Sequence, residues 1–144
     1  MRIVVQRVKK AKVIVENEEI GRIDNGFLLL VCLVNGDTEE IVDKAAQKIL
    51  SMRIFSDQDD KMNLDIQQTN GAILAISQFT LAWDGQKGNR PSFDKAMAPA
   101  QAQLLFRFFL DRLREKVPVQ TGRFGAHMNV ELDNDGPVTF FLEF

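Results

Sequence analysis

The stretch Asn70-Gly71-Ala72-Ile73-Leu74-Ala75-Ile76-Ser77-Gln78-Phe79-Thr80-Leu81 decides how this chain is built. Its apolar run, residues 72–76, is short for a helix and long enough for a buried strand, and Asn70-Gly71 supplies the turn that opens it. Ser77, Gln78 and Thr80 then emerge at the carboxyl end of that strand. There, side chains and backbone N–H groups can be offered to a ligand from a rigid base. The same residues also suit an ordinary satisfied strand end, so the motif needs company before it signifies a site.

Working outward, two helices stand out. Asp37 and Glu40 have capping-box spacing, which predicts a helix starting near Asp37 or Thr38, with Ile41, Val42, Ala45, Ala46, Ile49 and Leu50 on its buried face. A second helix is predicted from about Pro99 to Lys116, with Pro99 in its first turn and Leu105, Phe108, Phe109 and Leu113 as its core stripe. The remainder reads as strand at about residues 2–8, 12–16, 19–23, 27–34, 72–78, 128–133 and 138–143, with turns at Asn17-Glu18, Asn25-Gly26 and Asn35-Gly36. Near the carboxyl end, Asn134-Asp135-Gly136-Pro137-Val138-Thr139 joins the last two of these segments. As a local signal it predicts a hairpin.

Composition narrows the chemistry. A chain of 144 residues, 45% hydrophobic, suits one domain with an ample core. No apolar run approaches the ~20 residues that span a bilayer, and no signal-like segment opens the chain, so a soluble cytoplasmic protein is expected. A single cysteine, Cys32, sits in the apolar run 27–34 and reads as core; as a catalytic thiol it would need a cationic or basic neighbour that this run lacks. One histidine, His127, is too few for a zinc site of several imidazoles and makes a Ser-His-Asp triad hard to assemble. Asp57, Asp59 and Asp60 crowd one loop without the glycine and closing glutamate of a calcium loop, which predicts a solvated turn. Neither a metal nor a cofactor is expected.

Seen together, the Ser77-Gln78-Phe79-Thr80 and Gly136-Pro137 stretches resemble the paired motifs of the D-aminoacyl-tRNA deacylases. Further landmarks follow in family order: residues 1–8, Arg53-Ile54-Phe55, Lys61-Met62-Asn63-Leu64, Arg90-Pro91-Ser92-Phe93 and residues 121–126. The resemblance covers essentially residues 1–144 and implies a single domain of α/β class, with mixed, barrel-like β-sheet layers and two main helices. It implies a proofreading hydrolase that cleaves the ester between a D-amino acid and the terminal adenosine of tRNA. Ser77, Gln78, Phe79 and Thr80 are then the catalytic group. The N–H groups around Phe79 and Thr80 are the oxyanion candidates, Ser77 and Gln78 fix the adenosine or a water, and Phe79 packs on adenine.

The resemblance also implies that the Gly136-Pro137 bond is cis, and that this element reaches into a second subunit's pocket and excludes L side chains with backbone atoms. Arg7 and Met128 match positions that brace it, although a surface ion pair and a core filler are the plain alternatives. The implied partners are aminoacyl-tRNA, through its 3′-terminal adenosine and acceptor stem, and a second copy in a homodimer with interfacial active sites. Glycyl-tRNA is an implied second substrate.

Charge argues mildly against RNA: the formal net charge is −2, and nucleic-acid binders commonly carry a basic patch. The loop Lys87-Gly88-Asn89-Arg90 is the candidate phosphate grip, with Gln86 and Asn89 standing where the family often has Arg or Lys. A non-catalytic RNA-binding protein and an esterase or peptidase for small molecules remain the rival readings.

Overall fold

A computed structural model describes residues 1–86 and 88–144. The chain opens on one long strand, β1 (Arg2–Val15), where two were expected. It turns at Glu16 and Asn17, both at positive φ, into antiparallel β2 (Glu18–Ile23), and then enters β3 (Gly26–Cys32). The first half of β1 pairs with β3 and the second half with β2, while β8 (Asn129–Glu143) runs antiparallel along the other side of both halves.

Between β3 and β8 come α1 (Glu39–Ser51), the short pair β4 (Phe55–Ser56) and β5 (Met62–Leu64), β6 (Ala72–Ser77), α2 (Pro99–Arg114) and β7 (Val119–Thr121). β3, β6 and β7 are mutually parallel neighbours, with α1 and α2 in the two crossovers. β2 returns to meet β7, and a Cβ added to Gly21 would lie 3.1 Å from the Thr121 carbonyl oxygen, so the six-stranded sheet curls nearly closed. This is the mixed, barrel-like architecture with two helices that the resemblance implies.

Burial on two faces explains the apolar runs. Phe27, Leu29 and Val31 of β3, with Ile73 and Ala75 of β6, pack against the helices. Leu28, Leu74 and Ile76 point the other way, into a second core with Val8, Ala11, Val13 and Ile23. Strands buried on both faces lose the period-two alternation, which is why β3 and β6 read as continuous hydrophobic stretches. Gly26, at φ 156°, is where β3 comes so close to β6 that a Cβ would lie 1.8 Å from the Ala72 carbonyl oxygen.

Three further expectations are corrected. Thr38, rather than Asp37, caps α1: its hydroxyl accepts from the Ile41 N–H at 3.4 Å. Asp37 is instead buried against the Met1 ammonium at 2.6 Å and accepts from the Val34 N–H. The stripe of α2 is turned slightly, so that Ala102, Phe106 and Leu110 join Phe109 and Leu113 in the core while Leu105 and Phe108 are only partly buried. The Arg112 guanidinium, paired with Asp43 of α1, covers the Phe108 ring at 4.8 Å.

Finally, residues 134–138 form no hairpin. They are an outward bulge inside β8, because both flanks pair with β1: Thr139 opposite Gln6, and Asn134 opposite Val8. Thr38→Ala is expected to cost about 1 kcal/mol, the usual worth of such a cap. Thermal unfolding followed by circular dichroism should then show a fall in Tm of about 2–4 °C.

Candidate active site

The carboxyl ends of β3 and β6 lead to a mostly apolar cavity of about 590 Å³. That volume suits a small-molecule group held in a largely preformed site. Val31, Leu33 and Ile76 form its floor, the start of α2 (Pro99, Ala102) one wall, and Phe124, His127, Met128 and Val130 another. Ser77, Gln78 and Phe79 line its mouth, whereas Thr80 stands just outside the lining, its hydroxyl accepting from Gln78 Nε2 at 2.5 Å. Phe79 is 59% exposed and meets Phe93 edge-on, with ring centroids 4.9 Å apart.

The chain holds this corner rigidly. The Gln78 N–H donates to Val31 O at 2.7 Å, continuing the β3–β6 ladder by one bond before residues 79–82 wind into a single 3-10 turn. The Leu81 N–H returns to Gln78 O, and the Trp83 N–H to Thr80 O. The N–H groups of Phe79 and Thr80 open the turn and so have no carbonyl within it. Among the described residues they have no other hydrogen-bond acceptor. Arg2 clamps the turn's far end by donating to Leu81 O (2.8 Å) and Ala82 O (3.1 Å), while Glu143 pairs with the same guanidinium.

Beneath the turn, Cys32 Sγ contacts the Leu33 and Phe79 carbonyl oxygens, both at 3.5 Å, and burial pushes its thiol pKa up. It is a buried support rather than a poised thiolate. His127 reaches the cavity wall, yet among the described residues no hydrogen bond joins it to Ser77 or Thr80. Nucleophile activation by a neighbouring base therefore has no geometric basis here. Asp57, the first of the crowded carboxylates, is held below its usual pKa by the N–H groups of Lys61 and Asp59, as expected of a self-contained turn.

Gly136 and Pro137 lie in the middle of β8, beside the middle of β1, and outside the lining of this cavity. Their peptide bond is cis. The bulge is tied to β1 by two residues. Gln6, 8% exposed, donates to Asn134 Oδ1 at 2.6 Å and Val138 O at 3.2 Å, and accepts from the Thr139 hydroxyl at 2.6 Å. Arg7 is 9% exposed, pairs with Asp135 at 2.9 Å and donates to Ile54 O at 2.6 Å. Arg7 is thus buried, with its guanidinium held between Asp135 and the Ile54 carbonyl.

Met128 does not share that task within the chain. It sits in the cavity wall, against Gly122 and at the far end of β1 from Arg7. Arg7 pairs with Phe27 and Val31 with Ser77, so the level of the bulge and the level of Ser77 are separated by four residues of β3, an offset of roughly 13 Å along the strand at ~3.3 Å per residue. The structure gathers Ser77, Gln78, Phe79 and Met128 at one cavity and leaves Gly136, Pro137 and Arg7 outside it.

Gln6, Arg2 and Phe93 were not assigned roles from the sequence. A signal exists for Gln6 and Arg7, an adjacent polar pair between the apolar residues Ile3-Val4-Val5 and Val8. None exists for Arg2, whose carbonyl partners lie some eighty residues away. Lys87, the first residue of the expected phosphate grip, lies outside the described residues.

Comparison with known proteins adds the family. A family model described as D-Tyr-tRNA(Tyr) deacylase matches residues 4–143. A curated relative from Haemophilus influenzae, named D-aminoacyl-tRNA deacylase, is 54% identical over 138 residues, 96% of each chain. One of the same name from Saccharophagus degradans is 51% identical over 143 residues, 99% of each. Among solved structures, one named c-Myc DNA Unwinding Element Binding Protein superimposes with a TM-score of 0.95 at 38% identity, covering 100% of this chain and 99% of that one. A probable eukaryotic D-amino acid tRNA deacylase, at a TM-score of 0.82 and 17% identity over 98% of this chain and 97% of that one, shares the fold. A model match over nearly the whole length, with relatives about half identical end to end, places this chain in the D-Tyr-tRNA(Tyr) deacylase family.

Proposed function

We propose that the cavity at the mouth of β6 receives the 3′ end of a D-aminoacyl-tRNA and that its ester is cleaved there by oriented water. Family membership makes the chain an ester hydrolase of D-aminoacyl-tRNA. The observation that carries the site is the pair of N–H groups, Phe79 and Thr80, opening a clamped 3-10 turn at the rim of an apolar cavity. Fixed donors of this kind stabilise the charge that develops on a carbonyl oxygen under attack. An aminoacyl ester is activated, so positioning and an oxyanion hole are sufficient without a triad. Ser77 and Gln78 hold the ribose or the water, and the exposed face of Phe79, steadied by Phe93, takes the adenine.

A second copy completes the site. The bulge at Gly136-Pro137 is exposed, braced from beneath by Gln6 and Arg7, and too far from its own chain's cavity to serve it, so it projects into the cavity of a two-fold partner. Backbone atoms there refuse an L side chain while leaving the identity of a D side chain unread. Glycine, with no side chain to refuse, passes the same filter, which makes glycyl-tRNA a second substrate.

The test is a paired assay of purified protein on D-tyrosyl-tRNA and L-tyrosyl-tRNA, with and without EDTA. Loss of the D ester alone, unaffected by EDTA, is expected. Equal loss of both esters would remove the chiral filter, and loss of neither would favour a binding protein on the same scaffold. Equal hydrolysis of free aminoacyl esters would favour a small-molecule esterase.

A further inference from the structure

A second cavity, of about 360 Å³, adjoins the first, and the hydrolytic reading leaves it without a role. The same two segments wall both. Phe79 and Phe93 border the first cavity, whereas Ala82, Trp83, Asp84, Asp94 and Lys95 border the second. The two cavities are thus neighbours along the same two segments, with Phe79 and Phe93 at the first.

The lining of this second cavity combines one aromatic ring with several fixed polar groups. Trp83, the chain's only tryptophan, is 39% exposed although it lies in an ordered turn whose N–H bonds to Thr80 O. Around it, polar groups are fixed by one another: Lys95 Nζ lies 2.8 Å from Asp84 Oδ2, the Gln86 N–H donates to Asp84 Oδ1 at 3.1 Å, and Ser92 donates to Asp94 Oδ2 at 2.6 Å. Lys95 itself is anchored through its carbonyl, which accepts from the Asn35 N–H at 2.9 Å. A partly exposed indole that lines the same cavity as two carboxylates and an ammonium offers an aromatic surface together with acceptors and donors.

Cytosine matches that set. Its exocyclic amine donates to a carboxylate, and its ring nitrogen and carbonyl oxygen accept from an ammonium or amide. Uracil can meet a carboxylate only through its ring N–H, which has a carbonyl oxygen on either side. We propose that the Trp83 cavity is a nucleobase subsite for the cytosine that precedes the terminal adenosine of tRNA, stacked on the indole. This inference rests on the hydrolytic reading above.

The sole tryptophan provides a readout independent of turnover. Wild-type protein is titrated with an uncharged RNA hairpin ending in CCA and with the same hairpin carrying an abasic ribose at the middle position, while tryptophan fluorescence is followed. Saturable quenching by the first is expected, with affinity at least about tenfold weaker for the second, as stacking on an aromatic side chain warrants. Equal quenching and affinity for both would overturn the proposal.

A kinetic cycle gives the second test. Trp83→Ala should raise KM for D-tyrosyl-tRNA about tenfold, and Trp83→Phe should recover most of it. The difference between the wild-type and Trp83→Ala proteins should vanish on a substrate abasic at the same position. Persistence of the full difference on the abasic substrate would mark Trp83 as merely structural. Base-dependent quenching without hydrolysis of D-tyrosyl-tRNA would sink the hydrolytic reading and leave the subsite standing; hydrolysis without it would do the reverse.

Discussion

Replacing the amide between Phe79 and Thr80 by an ester, through incorporation of the α-hydroxy analogue of threonine at position 80, should lower kcat for D-tyrosyl-tRNA by about 10²–10³-fold. Thr80→Ala should cost less than about tenfold, the larger losses being reserved for groups that touch the developing charge. The contrast follows from the geometry of the turn. The Thr80 N–H has no acceptor among the described residues, so deleting it removes no internal hydrogen bond. The hydroxyl, by contrast, already accepts from Gln78 Nε2 and, among the described residues, donates to no base that would raise its nucleophilicity. Single-turnover rates on preloaded D-tyrosyl-tRNA separate the chemical step from binding. The opposite ranking, with Thr80→Ala crippling and the ester substitution mild, would make the threonine hydroxyl the nucleophile and refute positioning as the main device.

How much of this was legible in the sequence depends on the distance over which each feature is determined. The run 72–76, with its opening turn, is local, and it sits in the structure as β6. Both helices carry enough turns for their apolar spacing to show. The orientation of the α2 stripe was less legible, because it is set by α1: with Arg112 bridging to Asp43, Phe108 moves to the margin and Phe106 inward. β4 and β5 are too short to have a period at all.

The long strands are hidden from the sequence for a different reason. Lys9 and Lys10 are exposed, which breaks the apolar pattern of β1, and Asn134 to Pro137 are all turn formers, which breaks that of β8. Each interruption looked like an end. Only the pairing of β1 with β8 along both halves shows them as facing irregularities in one ladder. The cavity was least legible, since its walls come from β3, β6, α2 and residues 124–130, which no local pattern links.

Gly136→Ala should reduce hydrolysis of D-tyrosyl-tRNA by about 100-fold, the scale expected when a positioning element moves by an ångström, and should collapse the preference for D over L. Gly136 has φ 133°, a conformation that residues with a side chain rarely adopt. A Cβ there would lie 2.7 Å from both the Val138 nitrogen and Val138 Cγ2, so the bulge must shift. Val138 is buried and its carbonyl is held by Gln6, which leaves the exposed Gly136-Pro137 tip as the part free to move. The pocket of the same chain, offset along β3, should be undisturbed. That separation gives a decisive mixing experiment. Gly136→Ala protein keeps an intact pocket, and the Thr80 ester protein keeps an intact bulge. If the bulge serves the partner's cavity, equal mixing yields heterodimers in half of the population, each with one sound site, and activity returns to about a quarter of the wild-type level. If the bulge acts within its own chain, no dimer in the mixture has a sound site and activity stays at the level of the separate variants. Recovery on mixing with D specificity restored would place the chiral filter in the partner's Gly136-Pro137 element; a Gly136→Ala protein that alone retains full D-over-L preference would place it elsewhere.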